Sequence, residues 1–190
     1  MKSKKLTKFL AILLAVSMVT VSFTACGNKE KNSDKKNKDI DKGDYLLFDL
    51  NENKTSYLVM GISSSAASNV TNITIPSTYD NKSVITIRSC AFEGYRSLAS
   101  IVIPNSITNI EGWAFWNCSS LKSIVIPKSV VKIGRGTFTG CSSLTDIYCE
   151  AERKPYDWIQ DDFGSWKGDC SATVHWGDEW HYVNGVPTLK

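Results

Sequence analysis

The sequence predicts a short, mainly β solenoid in which parallel strands stack between an N-terminal β-hairpin and an aromatic C-terminal cap. Apolar residues recur every 23 residues through the middle of the 190-residue chain. Within each unit they alternate with polar residues, as in a strand that is buried on one side only. No repeated segment is long enough for an ordinary helix, and one unit cannot bury its own apolar face. Successive units must therefore stack into parallel ladders around a shared core.

The repeat is clearest at Phe92, Phe115 and Phe138, which lie 23 residues apart. In the "LxxIxIP" part of each unit, proline ends the strand because it cannot donate a ladder hydrogen bond. An upstream copy has five extra residues within the polar stretch "STYDNKS", where a solenoid tolerates an insertion. The same register aligns Leu98 with Leu121 and Leu144, Ile101 with Ile124 and Ile147, and Ile103-Pro104 with Ile126-Pro127. We place the repeats at residues 70–149.

The units "IPNSITNIEGWAFWNCSSLKSIVIP" and "IPKSVVKIGRGTFTGCSSLTDI" resemble the BspA-type leucine-rich repeat of bacterial surface proteins. The resemblance covers about residues 70–149. It implies a right-handed, curved leucine-rich-repeat solenoid, display at the cell surface, and binding rather than catalysis. Members of the family are associated with adhesion to host proteins and to other cells, which makes a protein or glycan ligand on a host or neighbouring cell the expected partner.

Residues 1–25 are typical of a lipoprotein signal peptide. Four lysines precede an apolar run of 13 residues, Phe9 to Val21, which is shorter than the ~20 residues of a spanning helix. The following "SFTACG" resembles a lipobox, with cleavage before Cys26 and lipidation of its sulfur. The alternative is an ordinary signal peptide cleaved near Ala25, which would leave a free thiol. The first reading predicts export and a lipid anchor in the cell membrane.

Residues 26–43 are rich in lysine and poor in apolar side chains, which predicts a disordered tether between the anchor and the domain. Residues 44–190 carry 12 Lys and Arg against 15 Asp and Glu. The domain therefore lacks the basic footprint of a nucleic-acid binder, and the positive charge of the whole chain comes from its first part.

Each end of a solenoid needs a cap. At residues 44–69, two apolar runs flank "NENK" and predict a hairpin over the first unit. Residues 150–190 are rich in aromatic side chains, of which Trp158 and Trp166 suit a cap. Trp180 and Tyr182 are better candidates for the alternative function, an exposed platform that binds sugar.

The cysteines are expected to pack rather than react. Cys118 and Cys141 occupy one position in successive units, and Tyr95 occupies it in the unit before. A position shared by Cys and Tyr is expected to be buried and to fill space in the core. An exported protein favours disulfides, which makes Cys149 and Cys170 a possible pair. No cofactor is expected.

The stretch "HWGDEWH" suggests a metal site at His175 and His181, but its spacing is not HExxH and no third ligand is evident. We therefore predict no metal. No nucleophile motif is present, since "GISSS" is not G-x-S-x-G, and the sequence predicts a protein that is not an enzyme.

The expected ligand-binding residues are the outward positions of "LxxIxIP", which form columns across the concave strands of the predicted solenoid. A column of β-branched and aromatic residues is unusually apolar for an outward surface. The alternative is that such residues merely suit a strand, and a passive structural lipoprotein of the envelope is a further alternative. The first column contains Thr74, Val102, Val125 and Tyr148; the second contains Asn72, Ser100, Ser123 and Asp146; the third contains Thr71, Ala99, Lys122 and Thr145.

Overall fold

The computed structural model describes residues 45–63, 70–158, 160–161 and 164–190. The expected signal peptide, Cys26 and the tether lie outside the described residues, as does part of the expected N-terminal cap. Within the described part of the chain, no helix is long and apolar enough to cross a membrane. The strands are β1 (Leu46–Leu50), β2 (Tyr57–Ile62), β3 (Asn72–Thr74), β4 (Thr78–Tyr79), β5 (Lys82–Ile87), β6 (Ser100–Val102), β7 (Asn109–Ile110), β8 (Ser123–Ile126), β9 (Lys132–Ile133), β10 (Asp146–Cys149), β11 (Gln160–Asp161), β12 (Gly164–Ser165), β13 (Thr173–His175), β14 (Trp180–Val183) and β15 (Val186–Leu189).

The strands confirm the predicted solenoid, because most of them belong to two parallel ladders. In one ladder the order is β2-β5-β7-β9, with β1 at its outer edge. The other ladder contains the pair β3-β6 and the three strands β8, β10 and β13, in the order β13-β10-β8. Each unit therefore contributes one "LxxIxIP" strand and one "IxxI" strand, and it buries its apolar side between them.

A third side of the solenoid is a ladder of backbone hydrogen bonds between successive turns. The N–H of Phe92 donates to the carbonyl of Ala114 at 2.8 Å, and that of Phe115 donates to the carbonyl of Thr137 at 3.0 Å. The three phenylalanine rings beneath this side are buried and stack in parallel. Their centroids are 5.4 Å apart between Phe92 and Phe115 and 5.5 Å apart between Phe115 and Phe138.

The predicted N-terminal hairpin is present, since β1 and β2 pair antiparallel. The Oδ1 of Asn51 accepts the backbone N–H of Thr55 at 2.8 Å, which closes the connecting turn. β2 then pairs in parallel with β5, and the hairpin covers the first turn of the ladder.

The insertion in the first unit forms a tight turn between β4 and β5, with Asp80 and Asn81 at φ of 44° and 58°. It lengthens the separation of paired residues to 28 for Asn72 and Ser100 without breaking the ladder. Tyr79 from this turn stacks on Phe48 of the hairpin with ring centroids 4.2 Å apart.

The solenoid continues beyond Cys149, where the sequence repeat ends. Trp158 bridges in parallel to Ile133, and the carbonyl of Trp166 accepts the N–H of Thr137 at 2.8 Å. β13 then pairs in parallel with β10, so the C-terminal segment makes one more, irregular turn. Trp158 and Trp166 are buried, as expected of a cap. The chain ends in the antiparallel hairpin β14-β15.

Candidate functional site

The outward residues of β3, β6, β8 and β10 form the candidate site, which we call the binding face. The ladder places Thr74 opposite Val102 and Val125 opposite Tyr148, and β6 and β8 are neighbours. The first predicted column therefore exists as a line of residues across four strands. Val102 is 57% exposed in the middle of this line.

The second predicted column is also aligned, and it is polar. Asn72 lies opposite Ser100, whose hydroxyl donates to the amide oxygen of Asn72 at 2.6 Å. Ser123 lies opposite Asp146 in the next pair of strands. Lys122 precedes this column and is exposed, and its carbonyl accepts the N–H of Thr145 at 3.0 Å. The binding face thus sets an apolar column beside a column of hydrogen-bonding groups.

The last strand of the binding face ends in a cluster of carboxylates and rings. Asp146 and Tyr148 project outward from β10, and His175 of β13 lies opposite Tyr148. The Nε2 of His175 is 2.8 Å from Oδ1 of Asp146, and its ring stacks on that of Tyr148 at 5.0 Å. The hydrogen bonds from His175 and then Thr145 lower the pKa of Asp146. The imidazole therefore fixes both the carboxylate and the tyrosine ring.

The C-terminal hairpin supports the other side of Tyr148. Trp180 lies with its ring centroid 5.3 Å from that of Tyr148 and 5.2 Å from that of Tyr182. The hydroxyl of Tyr182 donates to Oε1 of Glu150 at 3.4 Å. We call Asp146, Tyr148, Glu150 and Tyr182, with His175 and Trp180 behind them, the acidic-aromatic ledge.

The position of Trp180 corrects the expectation that its ring is an exposed platform for sugar. Trp180 is only 5% exposed, and its indole N–H donates to the carbonyl of Cys149 at 3.1 Å. This hydrogen bond fixes the ring over the end of β10, where it packs as a cap residue. Tyr182 is 50% exposed and remains accessible.

Cys118 and Cys141 are buried free thiols, as predicted from their repeated position. Their Sγ atoms contact the carbonyls of Phe92 and Phe115 at 3.0 and 3.1 Å. Burial is the main cause that raises the pKa of Cys141 to about 12. A thiol so strongly protonated is a poor nucleophile.

The possible disulfide between Cys149 and Cys170 is not formed, and both residues are buried free thiols. Cys149 points into the core from β10, opposite Ile126. Cys170 instead follows the turn at Trp166 and lies near Cys141, where it contributes to the raised pKa of that thiol after burial itself. The two cysteines thus belong to different sides of the solenoid.

The two histidines of "HWGDEWH" do not converge. His175 is buried against Asp146, whereas His181 is exposed on β14. Among the described residues, no three His, Cys, Asp or Glu side chains are grouped so that they could hold a metal ion.

Two members of the ledge are absent from the residues selected on sequence. Glu150 continues the outward alternation of Asp146 and Tyr148 along "DIYCE". The period of two in a strand could therefore have predicted that Glu150 faces outward beside them. His175 joins the first column at a separation of 27 residues from Tyr148, outside the 23-residue register. The local stretch "HWGDEWH" suggests a metal site for His175 and does not place it beside Tyr148.

The repeat itself identifies the family. The sequence model described as "BspA type Leucine rich repeat region" matches residues 60–155 in six copies. The chain belongs to this family. The match covers every strand of the binding face, and it includes β10 with Glu150.

Solved leucine-rich repeat proteins are similar to this chain over part of its length. A leucine-rich repeat protein from Bacteroides ovatus is 28% identical, with a TM-score of 0.49 over 70% of this chain and 36% of that one. A leucine rich cell surface protein from Faecalibacterium prausnitzii is 31% identical, with a TM-score of 0.47 over 62% and 34%. A T. pallidum leucine rich repeat protein is 24% identical, with a TM-score of 0.44 over 55% and 57%. The chain thus spans about a third to just over half of the length of these relatives. No curated protein matches it.

Proposed function

We propose that this leucine-rich repeat protein is a non-enzymatic binding module that recognises a protein through its binding face. The observation that supports it is the column of Thr74, Val102, Val125 and Tyr148 across four adjacent strands, which is exposed at Thr74 and Val102 and half-buried at Val125 and Tyr148. Contiguous exposed apolar surface bordered by polar residues is typical of interaction sites. The family supports the same class of function.

The surroundings of the apolar column suit a protein partner. The neighbouring column offers hydroxyl, amide and carboxylate groups, so the face combines an apolar centre with a hydrogen-bonding border. Four strands at ~4.8 Å spacing give the face a width of roughly 15–20 Å. A surface of that size can accommodate an extended segment or an edge of a folded partner.

We further propose that the module is displayed at the cell surface by a lipid on Cys26. The lipobox-like "SFTAC" after the apolar run supports this, and so does the lysine-rich tether that precedes the domain. Mass spectrometry of the membrane fraction should detect a lipidated Cys26 peptide, and Cys26→Ala should release the protein from the membrane. Membrane retention of that variant would contradict the anchor.

The binding face is tested by placing charge in the middle of the apolar column. The full chain and its Val102→Lys/Val125→Lys variant are measured by biolayer interferometry against a panel of purified extracellular-matrix proteins and glycans. We expect a protein ligand whose affinity falls at least tenfold in the variant. Val131→Lys is the matched control, because Val131 is 56% exposed and lies directly before β9 of the other ladder. Equal binding by all three proteins would place the site elsewhere.

A further inference from the structure

The last strand of the binding face carries charges at positions where the inner strands are neutral. β10 presents Asp146 and Tyr148 outward, followed by Glu150. At the same positions β8 has Ser123 and Val125, followed by Pro127. The face therefore changes from a neutral, partly apolar surface to an acidic and aromatic one at its C-terminal end.

Both carboxylates are fixed in place, and among the described residues neither has a Lys or Arg partner. Asp146 accepts the hydroxyl of Thr145 at 2.7 Å and lies 2.8 Å from Nε2 of His175. Glu150 accepts the backbone N–H of Lys128 at 3.2 Å in addition to the hydroxyl of Tyr182. Within the part of the chain that the structure describes, no Lys or Arg side chain pairs with either carboxylate, and His175 is the ionisable side chain that contacts Asp146.

The rings lie in the field of these carboxylates. Burial raises the pKa of Tyr148, and the charge of Asp146 raises it further. Burial, and then the charge and hydrogen bond of Glu150, act in the same direction on the pKa of Tyr182. A cation placed here would gain from the carboxylates and from the half-exposed ring of Tyr182.

The charge distribution along the chain favours the same occupant. Residues 146–190 contain 4 Lys and Arg against 9 Asp and Glu, whereas residues 70–145 contain 7 against 3. The C-terminal end of the solenoid is thus acidic although the repeats before it are basic. Such an asymmetry steers a basic segment toward the ledge and away from the rest of the repeats.

We propose that the acidic-aromatic ledge holds a Lys or Arg side chain of an extended segment of the partner protein. This inference rests on the proposed function of the binding face and names the chemistry of its ligand. The cation lies against Tyr148 between Asp146 and Glu150, whose Cα atoms are roughly 13 Å apart along the strand. The aliphatic residues of the same segment lie on Val125 and Val102.

The test selects ligands without assuming their sequence. Random nine-residue peptides displayed on phage are selected on the immobilised full chain, and the enriched peptides are synthesised with a fluorescent label. Their affinities are measured by fluorescence anisotropy for the wild type, Asp146→Asn and Glu150→Gln. Each peptide is also made with its Lys or Arg replaced by norleucine.

Glu111→Gln is the matched control for Glu150→Gln. Glu111 accepts the N–H of Ser89 at 2.8 Å, just as Glu150 accepts that of Lys128, but it lies on the other ladder. In both variants the amide oxygen can still accept the backbone hydrogen bond. Circular dichroism of each variant verifies that the fold is retained.

We expect enriched peptides to contain Lys or Arg, and their affinity to fall at least tenfold in Asp146→Asn, in Glu150→Gln and on replacement by norleucine. Affinity should also fall as salt is raised. Peptides that bind through Val102 and Val125 but ignore the ledge variants would overturn this inference and leave the proposed function intact. Peptides that respond to the ledge variants but not to Val102→Lys/Val125→Lys would support the ledge and contradict the valine column. If the ledge variants reduce the binding of glycans and not that of peptides, the occupant is a glycan. If deletion of residues 27–43 raises the affinity for the peptides tenfold, the occupant is that segment of the chain itself. Either result would overturn the proposed partner segment.

Discussion

Trp166 lies edge-on against Phe138, with ring centroids 6.0 Å apart and an interplanar angle of 78°. The phenylalanine rings before it stack nearly parallel, at interplanar angles of 6° and 2°. By turning across the column, the indole covers the last phenylalanine. Trp158 then packs on Trp166 at 5.0 Å and extends the cover. The aromatic column is therefore part of both the repeat and the cap.

Removing a ring from this column should destabilise the whole domain. Phe115→Ala and Trp166→Ala should each lower the free energy of unfolding by about 3–5 kcal/mol, because each leaves a cavity that its neighbours cannot fill. Urea unfolding followed by tryptophan fluorescence or circular dichroism measures the change. Tyr156→Ala is the control, since Tyr156 is 99% exposed and its loss should have little effect. A loss below about 1 kcal/mol for Phe115→Ala would contradict a shared, close-packed core.

Gly134 packs so closely on Gly112 of the preceding turn that it should tolerate no side chain. A Cβ on Gly134 would overlap the backbone N of Gly112 and lie 2.7 Å from its Cα. Gly134→Ala must push the turns apart, and we expect a loss of about 2–3 kcal/mol in unfolding free energy.

Gly94→Ala separates this steric effect from backbone strain. Gly94 has a φ of +72° but no atom within 4 Å of its would-be Cβ, so its substitution should cost only about 1 kcal/mol. Thermal and urea unfolding of the two variants compare the effects directly. A smaller loss for Gly134→Ala than for Gly94→Ala would show that the turns are less closely packed at this point.

The regular part of the fold follows from the sequence because a repeated residue must enter a repeated environment. The spacing of Phe92, Phe115 and Phe138 therefore indicates both the register and the stack. The extra turn could not be predicted in this way. Trp166 follows Phe138 by 28 residues instead of 23, and the residue is tryptophan instead of phenylalanine. Only the contact between turns reveals that it continues the column.

The candidate site also has a part that the repeat predicts and a part that it does not. The columns through Val102 and Val125 were predictable, since outward positions of a strand alternate with buried ones. The burial of Trp180 and the position of His175 depend on the C-terminal hairpin and on β13, which carry no repeat. An aromatic residue near the end of the chain suits a platform or a cap equally well until its neighbours are known.

The buried thiols should resist alkylation in the folded protein. Burial raises the pKa of Cys141 and of Cys149 to about 12, and it raises that of Cys118 as well. At pH 8 the thiolate fractions of Cys141 and Cys149 are then of order one in ten thousand, so iodoacetamide should modify all three cysteines very slowly. Peptide mapping after brief treatment should show these cysteines unmodified without urea and modified with it. Rapid modification of folded protein at Cys141 would contradict its burial in the core.

The pair Asp146 and His175 should add stability that disappears in acid. Hydrogen bonds from His175 and then Thr145 lower the pKa of Asp146 in the folded protein, whereas an unfolded aspartate titrates near 3.9. The stabilising contribution is therefore present above about pH 4 and is lost as pH falls through the lower, folded value. Because the side chain of Asp146 is still partly exposed to solvent, we expect it to amount to less than about 1 kcal/mol.

Urea unfolding of wild type and Asp146→Asn at pH 6 and pH 2 measures this contribution. The wild type should be the more stable protein at pH 6, and the difference should shrink at pH 2, because protonation of Asp146 in the folded protein removes the contribution. Asp178→Asn is the control, since Asp178 is exposed in the turn before β14. A difference that is equal at both pH values would mean that Asn loses packing or hydrogen bonds unrelated to charge. Such a result would contradict an electrostatic contribution of His175 to the stability that Asp146 provides.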